Sequence, residues 1–264
     1  MIGGRTQLWY TDEMKIRLIA HSGFYAELPE ADLLFDYYYG ELPVPDPGKP
    51  LFVFVSHRHA DHFSEKIFDL AEQTEQIAYI ISDDVPLQKI PEKLRGKTLR
   101  IGAGETREIG PEKTGKSTRT DRQVKLTVRS FASTDEGVAF LVDLGAWRLY
   151  HAGDLNNWHW EEEGPAWNAD QERRYNKALK QLAACVAADG KQVDVAFVPL
   201  DSRLGASFWM GMDAYMRTVG AAHVFPMHLF GDPGVIRRMR HMPCAAPYAD
   251  RILGTGAEGK EFEL

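Results

Sequence analysis

The run Leu51-Phe52-Val53-Phe54-Val55 carries no polar side chain, and it leads directly into Ser56-His57-Arg58-His59-Ala60-Asp61-His62. Five apolar residues in succession suit a strand covered on both faces, which requires a layer on either side of its sheet. The turn-rich stretch PVPDPGKP precedes the strand. A helical segment, SEKIFDLAEQ, comes after the motif, with Ser64 placed to cap it and Glu65 in its first turn. The polar motif therefore sits where a buried strand runs out. His57 and His59, two apart, point the same way as the strand ends, and Asp61 and His62 come from the next turn. The chain has nine histidines, and three of them fall here, so a chance cluster or a solvated loop is a poor account of the motif. Imidazole suits zinc, iron or nickel, and carboxylate also admits manganese.

Patterning elsewhere predicts an α/β fold. Lys15 to Ala20, Phe24 to Leu28, Asp32 to Phe35 and Ile77 to Ile81 read as strands, with a short helix around Leu87 to Leu94. Three β-rich segments come next, TLRIG to TREIG, QVKLTVRSF and GVAFLVDLGAWRLYHAGD, the last a hairpin turning at Gly145. Asp170 to Ala187 is the strongest helix, because Tyr175, Leu179, Leu182 and Val186 recur at helical spacing and Gly190 stands just past its end. Strand VDVAFVPL, a helix near Met212 to Val219, strand HVFPMHL, a helix near Val235 to Met242 and a C-terminal strand complete the series. Antiparallel pairs mixed with strand–helix alternation exclude a pure Rossmann fold and a pure sandwich. The polar stretch Gly110 to Gln123 reads as a loop, and residues 1–264 as a single domain.

Composition narrows the functional classes. With 44% hydrophobic residues the chain can bury a core without disulfides, and Cys185 and Cys244 do not form a disulfide framework. Cys185 falls in a helical pattern as a small buried thiol, and a reducing, cytoplasmic setting is the expectation. No apolar run is long enough for a membrane span, and residues 1–10 do not have the form of a signal peptide. A net charge of −7 disfavours nucleic acid as a partner. A small-molecule substrate is the expectation, and the oligomeric state is open.

Two further segments end in metal-type donors. His151-Ala152-Gly153-Asp154 succeeds the strand WRLY, and His228 ends the run Val224-Phe225-Pro226-Met227. Strand ends are where an α/β sheet presents its ligands.

With these residues in place, the chain resembles the metallo-β-lactamase superfamily over most of its length. The His-x-His-x-Asp-His signature is matched at His57, His59, Asp61 and His62, the later Gly-Asp at Gly153-Asp154 and the final His at His228. The opening IAHSGFYAEL resembles the start of the branch that includes L-ascorbate-6-phosphate lactonase. The resemblance implies a four-layered αββα sandwich of two mixed sheets with metal at one edge. By that match His57, His59 and Asp154 hold one ion, and Asp61, His62, Asp154 and His228 a second. The family's third His for the first ion is missing from Ser130 to Gly137, where Ser133 is the expected occupant and Asp135 lies close by. The expectation is an asymmetric pair of ions, or one ion, with zinc foremost and manganese or iron admitted.

The implied activity is hydrolysis of a small ester, lactone or phosphoester by metal-activated water. Asp61 orients the water, and His21 and His159 are candidates for proton donor or substrate contact. Asn156, Trp158 and Arg203 are candidate substrate contacts, along with Ser133 and Asp135. His151, His223 and His241 read as structural or exposed. The rival readings are a metal-dependent nuclease or phosphodiesterase, and a non-hydrolytic iron-binding redox protein. Gly110 to Ser117 matches a nucleotide-binding P-loop, and Phe140 to Asp143 a Walker B strand. Past Ser117, however, Val124, Leu126 and Val128 alternate as in a strand, where the motif needs a helix.

Overall fold

The computed structural model describes residues 13–110, 124–254 and 256–264. Beyond Gly110, the P-loop-like pattern and the polar stretch to Gln123 lie outside the described residues. The strands are β1 (Lys15–Ala20), β2 (Gly23–Glu27), β3 (Asp32–Phe35), β4 (Leu51–Val55), β5 (Ile77–Ser82), β6 (Thr98–Ile101) and β7 (Thr106–Ile109). They continue with β8 (Leu126–Ala132), β9 (Val138–Leu144), β10 (Trp147–His151), β11 (Val195–Pro199), β12 (His223–Met227) and β13 (Glu261–Glu263). They form two mixed sheets, one ordered β13-β1-β2-β3-β4-β5-β6 and the other β12-β11-β10-β9-β8-β7.

Alternation along the central strands divides their side chains between two cores. Phe52 and Phe54 of β4, with Phe35 of β3, face the second sheet, while Leu51, Val53, Val55 and Leu34 face outward. Between the sheets, Phe24 stacks on Phe197 at 4.2 Å between ring centroids, and Phe54 meets Phe140 edge-on at 5.4 Å. The outer face of the first sheet is covered by Ile67, Phe68, Leu70, Ile90 and Leu94. Tyr175, Leu179, Leu182, Met212 and Tyr215 pack on the second sheet from α1 (Pro165–Asp189) and α2 (Met210–Thr218). A third helix, α3 (Gly234–Arg240), adds Val235, Ile236 and Met239 to the same core. The result is the αββα sandwich.

Four local expectations need correction. The segment after the His motif is a 3-10 helix, Glu65–Glu72, with the Ser64 hydroxyl accepting from the Lys66 amide. The helix expected around Leu87 to Leu94 is two 3-10 turns, Leu87–Lys89 and Glu92–Lys97. Ile90 between them is extended, because Pro91 disfavours a helical backbone in the residue before it. Helix α1 starts five residues earlier than its apolar spacing indicates, with Pro165 in its first turn, where the missing amide is harmless. Cys185 is partly exposed.

The Walker B-like Asp143 is otherwise engaged: it accepts from Arg148 Nε at 2.7 Å and Arg129 Nη1 at 2.6 Å. No helix among the described residues is long and apolar enough to cross a membrane.

Candidate metal centre

Strands β1, β3, β4, β8, β10, β11 and β12 end at one edge of the sandwich. The residues just past them are His21, Asp36, the His57–His62 motif, Ser133–Asp135, Asp154, Asp201 and His228. Among the described residues, the non-glycine residues with left-handed backbone are His21, Asp36, His228 and Phe230, all of them at this edge. Each such conformation costs on the order of 1–3 kcal/mol, so packing at this edge must hold them there.

Asp154 lies at the centre. Its carboxylate is 3.3 Å from His57 Nε2, 3.1 Å from His62 Nε2 and 3.3 Å from His228 Nε2. These three ring nitrogens and Asp154 Oδ1 are buried and make no hydrogen bond among the described residues. Neighbouring ligands at about 2.0–2.1 Å from a tetrahedral zinc stand roughly 3.3–3.5 Å apart, close to the observed spacing. The donor set therefore fits a divalent ion.

The other face of each ring shows how the donors are fixed. His62 Nδ1 bonds Asp36 Oδ2 at 2.8 Å, His228 Nδ1 bonds Asp201 Oδ2 at 3.1 Å, and His57 Nδ1 meets Ser56 Oγ at 2.9 Å. A ring that donates Nδ1–H to a carboxylate presents the Nε2 lone pair to a metal. Asp36 is buried and also accepts from the Ser56 amide at 2.7 Å and the Ser56 hydroxyl at 2.5 Å. One carboxylate thus orients His62 directly and His57 through Ser56. Asp36→Ala should weaken metal binding about 10–100-fold, the usual loss when such a partner is removed, as read by competition with a chromogenic chelator.

Charge in the cluster obeys the same geometry. Burial opposes ionisation of Asp154, yet His228, His57 and His62 hold its pKa well below the carboxylate range. Burial likewise opposes a charge on His62, but without a metal Asp154 and Asp36 push its pKa up to about 10, so an ion bound at Nε2 must displace a proton. His21 is held low, mainly by burial, and so favours neutral imidazole. Burial and the charge of Asp154 raise the pKa of Asp135.

Among the described residues, four groups of side chains bring ligand atoms within 4.8 Å of one another: His57, His59 and Asp61; His57, His62 and Asp154; His59, Asp135 and Asp154; and His21, Asp61, His62 and His228. All six expected metal residues are brought together. Asp135, expected only close by, joins His59 and Asp154, whereas Ser133 turns its hydroxyl to the Asp135 amide at 3.2 Å. His59 is half exposed and lies 3.5 Å from Glu136.

A cleft of about 230 Å³ opens over this edge, with His59, Asp61, Asp135, Asp154 and His228 in its floor. Trp158, Trp160, Trp167, Phe230 and Arg203 form its wall. Trp158 is anchored by its indole N–H to the Asp154 carbonyl at 2.9 Å. Arg203 is clamped by Asp201, with Nη2 2.6 Å from Oδ2, and lies over the Phe230 ring. His21, with its side chain 8% exposed, does not line this cleft, nor do His159 and Asn156. The main chain of Asn156 is tied instead to the Thr134 hydroxyl.

Asp36 and Asp201 were not among the sequence candidates. The available signal was their position immediately or shortly after a buried strand, the same position that Asp154 occupies. His151 is fully buried, its Nε2 2.9 Å from the Ser22 carbonyl.

The chain belongs to the β-lactamase superfamily of metallo-β-lactamase fold, since residues 15–166, more than half of its length, match the family model described as a beta-lactamase superfamily domain. A UPF0173 metal-dependent hydrolase of Alkaliphilus metalliredigens is 24% identical in an alignment of 228 positions that covers 81% of this chain and 85% of that protein. Among solved structures, a metallo hydrolase from the archaeon Ignicoccus hospitalis superposes with a TM-score of 0.57 at 13% identity, covering 96% of this chain and 98% of the other. CmlA, a diiron beta-hydroxylase from Streptomyces venezuelae, gives 0.51 at 12% identity over 83% of this chain and 45% of its own.

Proposed function

We propose that this chain is a metal-dependent hydrolase that cleaves a small ester, lactone or phosphoester with one or two divalent ions, zinc foremost. The observation that carries this reading is the convergence of three buried Nε2 atoms on Asp154 with no hydrogen bond among them. The name of the Alkaliphilus relative agrees with it.

His57, His59, Asp135 and Asp154 would hold one ion, and Asp61, His62, His228 and Asp154 the other. When bound, a divalent ion supplies Lewis acidity and makes water nucleophilic near neutral pH. The chain's own residues do the rest. Asp61, partly exposed on the cleft floor, accepts a hydrogen bond from the attacking water and orients it. The tryptophans exclude bulk water and receive the apolar part of the substrate. Arg203 offers its free edge to a carboxylate or phosphate. The cleft carries Asp61 and Asp135 as well as Arg203, and this mixed charge suits a small molecule better than a nucleic-acid backbone.

The test is a panel of aryl esters, lactones, and phosphomonoesters and phosphodiesters, run on metal-replete protein. Turnover of at least one class should be abolished by a chelator and restored by zinc or manganese. Turnover indifferent to the chelator would refute the reading.

One observation favours iron chemistry as a second reading: His57, His59 and Asp61 make a two-His, one-carboxylate set whose ligand atoms lie within 4.8 Å of one another. The likeness to CmlA shows a shared fold. Iron in the purified chain, with oxygen consumption and no hydrolysis, would establish it.

A further inference from the structure

We propose that His21 is itself a metal ligand, completing with Asp61, His62 and His228 a nitrogen-rich site that fills before its neighbour. The inference rests on the hydrolase site described above and adds a donor to it.

His21 Nε2 is buried and makes no hydrogen bond among the described residues. It lies 3.5 Å from Asp61 Oδ2, and its ring is 4.1 Å from that of His228 and 5.7 Å from that of His62. Those four residues each offer a ligand atom within one 4.8 Å cluster. A proton donor or substrate contact would have to reach the cleft, and His21 does not: its side chain is 8% exposed and sits behind Asp61 and His228.

The main chain is bent to place it there. His21 occupies the tight turn between β1 and β2 with φ of +53°. The turn is held from two sides, with the His228 amide donating to the His21 carbonyl at 3.2 Å and His151 Nε2 reaching the Ser22 carbonyl. Strain of this kind persists only where the surroundings over-determine it.

The two positions then differ in kind. One has three imidazoles and Asp61, with Asp154 shared. The other has His57, His59 and two carboxylates, one of them the exposed Asp135. Imidazole-rich sets bind zinc more firmly than carboxylate-rich ones, so loading is ordered.

The test is titration of metal-free protein with zinc and, separately, cobalt(II), comparing wild type with His21→Gly and His21→Asn. Glycine accepts the positive φ without strain, and asparagine tolerates it, so folding is protected in two ways. The tighter zinc step should weaken by at least about 10²-fold in both variants, more than the loss of a supporting partner causes. The weaker step should be unchanged. The visible cobalt(II) band of the first equivalent should shift, and imidazole added to His21→Gly should restore band and affinity together. An unchanged first step and cobalt(II) spectrum in both variants would overturn the role of His21 while leaving the hydrolase reading intact. A weakened first step with no imidazole rescue, and the same weakening of the second step, would also overturn it, showing His21 to be a structural support. Failure of the wild-type chain to bind either metal would sink both.

Discussion

Asp154→Ala should reduce bound metal to the background level and lower turnover by at least about 10³-fold, because the nucleophile and the Lewis acid are lost together. Among the described residues, Asp154 is the one side chain within 3.3 Å of His57, His62 and His228, which makes it common to both proposed ion positions. Its removal takes away the carboxylate that faces all three Nε2 atoms, and Asp36 and Asp201, held on the Nδ1 side of His62 and His228, cannot supply the missing bridge. The variant should still fold, because the carbonyl of residue 154, rather than the carboxylate, anchors Trp158. Metal analysis beside circular dichroism reads both points. A folded variant retaining its metal would remove Asp154 from the site.

Gly137→Ala should destabilise the chain by about 4 kcal/mol or more, enough to consume much of the stability of an ordinary domain. An added Cβ would stand 2.0 Å from the Ser56 carbonyl oxygen and 2.4 Å from His57 Cβ, and φ is +66°. The contact is with main chain, which has no rotamer to change. The Val138 amide bonds that same Ser56 carbonyl at 3.0 Å, so relief requires β9 to part from the end of β4. On the far side Gly153, at φ of +52°, also lies against Ser56. Denaturant unfolding of the metal-free variant measures the loss. A midpoint within experimental error of wild type would show that the loop yields cheaply.

Much of the fold and the site was legible in the sequence because it is written locally. The apolar run of β4, the four polar positions just past it, the Gly145 hairpin and the strand ends before Asp154 and His228 all declare themselves within a few residues. The supporting layer is written non-locally. Asp36 supports the site because β3 pairs in parallel with β4, with Phe35 opposite Phe54, which sets the next residue beside Ser56. A lone Asp after a strand reads as a turn residue until that register is known. His21 likewise reads as a proton donor until its burial behind Asp61 is seen. Ser133 and Asp135 are two apart in one loop, and only the fold of that loop shows which of them reaches His59. The 3-10 character of the first sheet's outer layer depends on Pro91 and on side-chain packing, which apolar periodicity alone does not encode.

Metal content decides whether this edge is a metal centre with Asp154 shared between two positions. Wild-type chain and Asp154→Ala, both purified without affinity metal, are loaded with zinc, freed of excess by gel filtration and weighed for metal by mass spectrometry. About two zinc ions per wild-type chain are expected, the first held more tightly than the second, and none in the variant. A folded wild-type chain that carries no more zinc, manganese or iron than the variant would contradict this expectation.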